Sequence, residues 1–202
     1  MNFDEILIAG VAIKVLEGHY QLYVADTEVM SDEWTPGPGD VCVDAGFGPG
    51  AWTLVALARG ARVVAVDPRA YCHTLLEGAL AFLDSPDCQV LKLGLHDHQG
   101  VLSFDEGAGR FCNGHELYPV ITLDFLELPR LDYFNLDVEG CEMAVLDGAR
   151  ETLTRCKPKV IIEVHAGMQV EQQDVIEILR SYGYQHFRDS FGFLIAEYKE
   201  MA

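Results

Sequence analysis

Short apolar runs alternate with amphipathic stretches along most of this 202-residue chain. Runs of four to six apolar residues are typical of strands that are buried on both faces, whereas apolar positions spaced three or four residues apart are typical of helices. The alternation therefore predicts an α/β fold with a doubly wound, mostly parallel sheet. The predicted strands are 41–45, 62–66, 89–93, 133–138 and 159–164, the predicted helices are 51–59, 70–83, 139–156 and 170–182, and a hairpin-like piece lies near 100–104.

Both ends of the chain depart from this alternation. Residues 5–25 mix apolar and polar positions around Gly10 and Gly18, which predicts short strands that turn back on themselves. At the other end, 184–189 and 192–198 are strand-like runs separated by two residues. Strands joined so closely must be antiparallel, so we expect a C-terminal antiparallel hairpin.

The length and composition fit a single domain. With half of its residues apolar, a chain of this length can bury a sizeable core without disulfides or a structural metal. We expect residues 1–38 to form an amino-terminal cap on a main domain spanning 39–202. The six cysteines include no CxxC pair and several lie in apolar runs, which predicts reduced core residues.

The charge balance is strongly acidic. Lys and Arg number 14 against 32 Asp and Glu, so the net charge is −18 and the field of the protein repels nucleic acid and anionic membranes. The amino terminus lacks the basic residues of a signal peptide, and no apolar run approaches the ~18 residues of a membrane span. These features predict a cytoplasmic protein that acts on a small molecule, and they leave a homodimer open.

A glycine-rich segment, DAGFGPG at 44–50, joins the first predicted sheet strand to the next helix. Glycines in this position let the backbone approach a ligand that a Cβ would block. Open α/β sheets bind ligands at the carboxyl ends of their strands, where an acid can bind an ammonium group directly or through water. The candidate binding residues in this loop are Asp44, Gly46, Phe47, Gly48 and Gly50.

The loop alone fits two nucleoside cofactors. Gly46, Gly48 and Ala51 also satisfy the GxGxxA pattern of dinucleotide-binding proteins. Asp67 ends the next strand, where an acid can accept hydrogen bonds from both ribose hydroxyls in either class, or can cap the helix that follows. An acid at position 44 favours S-adenosylmethionine, because its methionine tail is a zwitterion whereas NAD places an anionic pyrophosphate at the helix start.

The second half of the chain carries a longer set of linked motifs. NLDVEGCEMAVLDGARETLTRCKPKVIIEVH, at 135–165, passes from a strand through a helix to a strand that ends in an acid, and ITLDFL precedes it at 121–126. With the glycine-rich loop, residues 39–198 resemble the FkbM-type methyltransferase family. The resemblance implies a class I methyltransferase (Rossmann-like) fold, S-adenosyl-L-methionine as cofactor, and O-methylation, commonly of sugars or natural products.

The sequence departs from this family at two positions. Asn135 stands where the family often has Lys, and Asp67 stands where it often has Glu. We expect the first departure to concern the substrate side of the site.

Acidic residues and a histidine follow the last two parallel strands. Asp137 and Glu139 are expected beside the sulfonium, where carboxylates can favour the positive donor and orient an acceptor hydroxyl, although acids here can also simply cap a helix. Glu163 and His165 end the next strand at the same edge, where either can remove the acceptor proton. The predicted catalytic residues are therefore Asp137, Glu139, Glu163 and His165, and we expect Glu142 at the surface.

The segment LHDH at 95–98 follows the third strand, where class I methyltransferases contact adenine. Asp97 can accept a hydrogen bond from the exocyclic amine while Leu95 packs against the ring. His96 and His98 could instead bind a metal ion, but a site needs more ligands than this spacing offers, so we predict no metal. The predicted cofactor contacts are Asp44, Gly46, Phe47, Gly48, Gly50, Asp67, Pro68, Leu95, His96, Asp97 and Asp137, and the predicted acceptor-pocket aromatics are Trp34, Phe111 and Tyr118.

Three classes of function follow from these patterns. The first is an O-methyltransferase acting on a small-molecule or carbohydrate hydroxyl, the second an NAD-dependent oxidoreductase, and the third a cofactor-binding module without catalysis. The terminal hairpin favours the first, because dinucleotide dehydrogenases usually lack it. An NPPY-like motif is absent after the fourth strand, which disfavours methylation of nucleic-acid bases.

Overall fold

The elements below come from a computed structural model that describes residues 3–8, 10–19, 22, 35–84, 86–112, 114–165, 170–190 and 192–198. Its strands are β1 (Phe3–Ile8), β2 (Val11–Leu16), β3 (Val41–Ala45), β4 (Arg62–Val66), β5 (Cys88–Leu91), β6 (Gly94–Leu95), β7 (Gly100–Asp105), β8 (Arg110–Phe111), β9 (Glu116–Ile121), β10 (Tyr133–Leu136), β11 (Lys159–Glu163), β12 (His186–Ser190) and β13 (Phe193–Glu197). Its helices are α1 (Ala51–Ala58), α2 (Ala70–Leu80), α3 (Glu142–Asp147), α4 (Arg150–Cys156) and α5 (Gln172–Ser181), and one 3₁₀ turn covers Asp124–Leu126.

The central sheet has seven strands in the order β12-β13-β11-β10-β3-β4-β5. β13 is antiparallel to both of its neighbours, and the strands from β11 to β5 run parallel. The predicted doubly wound, mostly parallel sheet with a C-terminal antiparallel hairpin is therefore confirmed. The chain builds outward from β3 to β5 on one side and then returns to β10 on the other. Such a reversal opens a crevice between the carboxyl ends of β3 and β10.

The apolar runs form strands because both faces of the sheet are covered. Side chains alternate along β3, so Cys42 packs into a core with α1 and α2, whereas Val43 packs into a second core with α3, α4 and α5. Helix α1 is buried at every position from Ala51 to Leu57, which explains why its sequence has no polar face. The site therefore lies at the edge of a sheet that is packed on both sides.

The amino-terminal strands β1 and β2 pair as an antiparallel hairpin around Gly10, as the sequence predicts. Ile6, Ile8 and Ile13 from this hairpin are buried in the same core as α1 and α2. Treating residues 1–38 as a cap on one domain stays a prediction. Trp34, predicted to wall an acceptor pocket, lies outside the described residues.

The predicted helix 139–156 is two helices, and it begins later than the pattern suggests. Glu139 and Gly140 have φ values of 52° and 94°, which a right-handed helix cannot accommodate, so α3 begins at Glu142. The break between α3 and α4 falls at Gly148, where a Cβ would lie only 2.1 Å from the carbonyl oxygen of His96. Contact with the segment after β5 therefore divides the helix.

A four-stranded sheet in the order β6-β9-β7-β8 stands beside the carboxyl edge of the main sheet. The sequence predicted only a hairpin near residues 100–104 and missed β9. Three of its six residues, Glu116, Leu117 and Pro119, are exposed, and Pro119 cannot donate a backbone hydrogen bond and disfavours a strand interpretation. The small sheet brings Phe104 and Phe111 to the ligand edge.

The cysteines largely follow the prediction. All six are free. Cys42 and Cys72 are buried, Cys88, Cys141 and Cys156 are half-buried, and Cys112 is exposed. Burial raises the pKa of the Cys72 thiol to about 12, so this thiol stays protonated at neutral pH. Among the described residues, no helix is long and apolar enough to cross a membrane.

Candidate active site

The glycine-rich loop and the end of β10 touch at the crevice between β3 and β10. Gly46 has a φ of 80°, and a Cβ there would lie 1.6 Å from the carbonyl oxygen of Asp137. Gly50 has a φ of 97°, and its Cβ would meet the Leu76 side chain at 2.7 Å. The first glycine is therefore required by the neighbouring backbone, and the last by the packing of α1 against α2.

A pocket of about 340 Å³ opens at this crevice. Five of the predicted cofactor residues line it, together with Arg69 at the start of α2 and with Phe104 and Phe111 from the small sheet. The five are Gly46, Asp67, Pro68, Leu95 and Asp137.

Asp67 lies at the end of β4 with its side chain fully buried. Its carboxylate accepts hydrogen bonds from the backbone N–H groups of Gly48, at 3.2 Å, and Arg69, at 2.8 Å. The guanidinium of Arg69 also binds both oxygens, with Nε at 2.9 Å from Oδ1 and Nη2 at 2.6 Å from Oδ2. Asp67 thus holds the glycine-rich loop against the start of α2, and Arg69 covers the carboxylate on the pocket side.

Asp44 is buried behind the loop. Thr53 Oγ1 donates to its Oδ2 at 2.5 Å, and Asn135 Nδ2 donates to its Oδ1 at 2.9 Å from the paired position on β10. Asp44 is not among the described residues that line the pocket. Asn135 thus faces Asp44 within the sheet, and its expected role on the substrate side stays a prediction.

Acidic side chains surround His165 at the carboxyl ends of β10 and β11. Its Nε2 lies 3.2 Å from Glu139 Oε2, 3.6 Å from Asp137 Oδ1 and 3.9 Å from Glu163 Oε1. Its Nδ1 lies 2.7 Å from Glu142 Oε1. The structure therefore brings together all four residues predicted to be catalytic.

Glu142 is not at the surface as expected from the sequence. It is fully buried in the first turn of α3, where its Oε1 also accepts a hydrogen bond from the backbone N–H of Gly140 at 3.0 Å. The positive φ at Glu139 and Gly140 redirects the chain, so that Glu142 faces His165 instead of solvent. Sequence reasoning missed this contact because it follows from where the helix begins.

The electrostatics of this cluster favour a charged imidazole. The hydrogen bond to Glu142 raises the pKa of His165 to about 9, against an opposing effect of burial and with further help from the Glu139 and Asp137 carboxylates. Burial raises the pKa of Glu163 above its ordinary value, although His165 opposes this. At neutral pH His165 therefore carries a proton, which argues against its accepting one from a substrate.

Residues 95–98 lie at the rim of the site. Leu95 is buried and lines the pocket, whereas His96 and Asp97 are not among the described residues that line it. The Nδ1 atoms of His96 and His98 donate to Asp97 Oδ1 at 2.6 and 2.5 Å. Both bonds lower the pKa of the Asp97 carboxyl, and the bond from His98 has the larger effect. Adenine contact by His96 and Asp97 stays a prediction.

The remaining predicted residues have mainly structural surroundings. Phe47 is buried and its ring meets the His73 ring edge-on, with centroids 5.1 Å apart. Tyr118 donates a hydrogen bond to Glu106 and packs against Phe104, whereas Phe111 lines the pocket between β3 and β10. Arg69 was missed by sequence reasoning, although its position two residues after Asp67 was a readable signal.

This strand order and the crevice at Gly46 and Asp137 define the fold of class I methyltransferases. Residues 114–186 match the family model described as the methyltransferase FkbM domain, which confirms the predicted resemblance over this segment. No curated protein sequence matches the chain.

Solved structures of methyltransferases share the fold. The methyltransferase FkbM of Methylobacillus flagellatus KT superposes with a TM-score of 0.65 at 21% identity, over 79% of this chain and 44% of that one. A Streptococcus mutans methyltransferase in complex with S-adenosylhomocysteine gives 0.54 at 16% identity, over 81% of this chain and 91% of that one. A T. thermophilus 16S rRNA methyltransferase in complex with AdoMet and guanosine gives 0.53 at 16% identity, over 98% and 50%. The chain thus spans less than half the length of the Methylobacillus protein.

Proposed function

We propose that this chain binds S-adenosyl-L-methionine in the pocket between β3 and β10 and transfers its methyl group to a hydroxyl of a small molecule or carbohydrate. The observation that carries the proposal is the pocket at the reversal of the sheet, where Gly46, Asp67 and Asp137 come together. Ligands of open α/β sheets bind at such a reversal, and an acid after the second strand suits a ribose diol. The FkbM match over residues 114–186 supports methyl transfer.

The chemistry asks the site mainly to align its reactants. A lone pair of the acceptor oxygen forms a bond to the methyl carbon, the carbon–sulfur bond breaks, and sulfur keeps the electron pair. Asp137 and Glu139, at the end of β10, favour the positive sulfonium and orient the acceptor hydroxyl. The hydroxyl proton passes to a carboxylate of the cluster, because His165 already holds a proton at neutral pH.

The first test is cofactor binding measured by calorimetry. We expect S-adenosylhomocysteine to bind the folded protein, and Asp67→Asn to weaken it about tenfold or more, since a charge-assisted hydrogen bond is lost. Asp87→Asn, in an exposed ion pair with Arg62, is the matched control and should bind like the wild type. Binding of NAD without binding of S-adenosylmethionine or S-adenosylhomocysteine would reverse the proposal in favour of an oxidoreductase.

The second test concerns the acceptor atom. The protein is incubated with S-adenosylmethionine that carries a labelled methyl group and with pools of sugars and hydroxylated small molecules. We expect label in a methyl ether, which survives mild alkali. Label that mild alkali releases as methanol would identify a carboxylate acceptor, and label on nitrogen would contradict O-methylation.

A further inference from the structure

We propose that His165 Nε2, Asp137 and Glu163 form a binding site for a divalent transition-metal ion, with zinc as the best-fitting ion. One ligand atom from each of these residues lies within 4.8 Å of the other two. Asp137 also lines the cofactor pocket, so the metal would lie beside the methyl donor. Metal binding itself does not depend on the function proposed above.

The distances from His165 are close to those of a metal site. In a tetrahedral zinc site with bonds of about 2.1 Å, neighbouring ligand atoms are roughly 3.4 Å apart. His165 Nε2 lies 3.6 Å from Asp137 Oδ1 and 3.9 Å from Glu163 Oε1. The Asp137 and Glu163 oxygens lie within 4.8 Å of each other, so one of these partly exposed carboxylates must turn toward the other to complete the site.

Glu142 orients the imidazole for this role. Its Oε1 lies 2.7 Å from His165 Nδ1, so Nδ1 keeps its proton and Nε2 faces the other carboxylates. The metal binds Nε2 in place of the proton there, which is released to solvent. Metal-binding histidines commonly have this arrangement, in which a carboxylate on the second ring nitrogen fixes the tautomer and strengthens the ligand. Glu142 is therefore a positioning residue.

The negative charge of the carboxylates in the cluster exceeds the single positive charge of the imidazole. Within the described residues, the ion pairs of Glu139, Glu142 and Glu163 all go to His165. Glu142 is fully buried, and its Oε2 has no hydrogen-bond partner among those residues. His165 and the Gly140 N–H already compensate the other oxygen of Glu142. The same imidazolium also faces the partly exposed carboxylates of Asp137, Glu139 and Glu163, so it supplies one positive charge for several negative ones. A divalent ion supplies the missing charge.

The donor set selects the metal and suggests its use. An imidazole nitrogen with two carboxylates favours zinc or manganese over magnesium and calcium, which prefer oxygen ligands. Three protein ligands leave a position open for a substrate oxygen. Resting on the proposed function, we infer that the open position binds the acceptor hydroxyl and lowers its pKa. The proton then passes to Glu139, which lies outside the ligand set.

The test is a zinc titration of the chelator-treated full chain in the absence of methyl donor. We expect one zinc ion per chain in the wild type. His165→Gln and Glu163→Gln should each weaken binding about 100-fold, and Glu142→Gln should weaken it about 10–100-fold without changing the stoichiometry. His98→Asn alters the separate cluster of His96, Asp97 and His98 and should bind zinc like the wild type. Magnesium should bind more weakly than zinc.

Each outcome of the titration either supports the metal site or overturns it. Absence of zinc binding by the wild type overturns the proposal, and so does loss of binding in His98→Asn with retention in His165→Gln. Circular dichroism checks the folding of each variant. Glu163 is 40% exposed, so its variant tests the site even where His165→Gln fails to fold. Binding of S-adenosylhomocysteine without zinc would reject the metal site and leave the proposed function standing.

Discussion

Asn135 donates a hydrogen bond from Nδ2 to Oδ1 of the fully buried Asp44, at 2.9 Å across the paired strands β10 and β3. This contact joins the two strands between which the ligand crevice opens. It places a neutral amide where FkbM-type sequences often have a lysine, and the carboxylate receives a second hydrogen bond from Thr53. Asp44 therefore helps to fix the sheet at the base of the loop.

Removal of this amide should destabilise the protein. In Asn135→Ala the buried carboxylate of Asp44 loses a donor, and we expect the free energy of unfolding to fall by about 1–3 kcal/mol. Urea denaturation followed by circular dichroism measures the change. Gln89→Ala, at an exposed position of the edge strand β5, is the control and should change stability by less than about 0.5 kcal/mol. Equal losses in the two variants would refute a specific role for the amide.

Gly46 should tolerate no side chain, because of the backbone of Asp137. Gly39 has nearly the same φ, 82° against 80°, but no atom lies within 4 Å of its hypothetical Cβ. Gly39→Ala therefore measures the conformational cost alone, about 1–2 kcal/mol. Gly46→Ala should lower the stability clearly more. The molecules that still fold should not bind S-adenosylhomocysteine, because the added methyl group forces the loop away from the Asp137 backbone and widens the crevice. Thermal denaturation measures the stability of both variants, and calorimetry measures cofactor binding. Equal stability losses in Gly39→Ala and Gly46→Ala would contradict the close contact with Asp137.

The main sheet could be predicted because its strands are buried on both faces. The apolar runs of β3 and β4 match the observed bounds, 41–45 and 62–66, without adjustment. The small sheet could not be predicted in the same way, since β9 has no continuous apolar run and contains Pro119. The division between α3 and α4 depends on the contact of Gly148 with the backbone of His96, which no local pattern encodes.

The sequence predicted which edge of the sheet carries the site, but it did not predict the contacts between the side chains there. The rule that parallel strands end at the ligand edge locates Asp67, Asp137 and Glu163. The partners of these acids depend on strand register and on the point where each helix begins. Positive φ at Glu139 turns Glu142 toward His165, and Arg69 folds back onto Asp67. Only the three-dimensional structure supplies these pairings.

Arg69 should compete with the cofactor ribose for Asp67. Its guanidinium occupies both carboxylate oxygens, and its side chain is 25% exposed, so it can swing outward. Arg69→Met removes the competitor and keeps the apolar stem, and we expect it to bind S-adenosylhomocysteine severalfold more tightly while lowering stability, because Asp67 remains buried. Arg62→Met, at an exposed ion pair, controls for the loss of a surface charge. Weaker cofactor binding in Arg69→Met would instead make the guanidinium part of the binding site.

Glu139 should show a trade-off between stability and activity. It has a φ of 52°, in the left-handed region that favours glycine, and its carboxylate lies 3.2 Å from His165. Glycine relieves a strain of about 1–2 kcal/mol and costs about 0.5–1 kcal/mol of chain entropy, so Glu139→Gly should be slightly more stable than the wild type. Its methyl-transfer rate should nevertheless fall, because the carboxylate is gone.

Glu127 provides the matched comparison for this variant. It has a φ of 48° and is exposed at the end of the 3₁₀ turn, in a part of the chain without a proposed catalytic role. Glu127→Gly should gain similar stability in thermal denaturation and keep the wild-type rate. A stabilised Glu139→Gly with unchanged turnover would show that the strained backbone at this position serves the fold alone. A loss of rate in both variants would point to flexibility and not to the carboxylate, because the two positions share the same backbone conformation and differ in their surroundings.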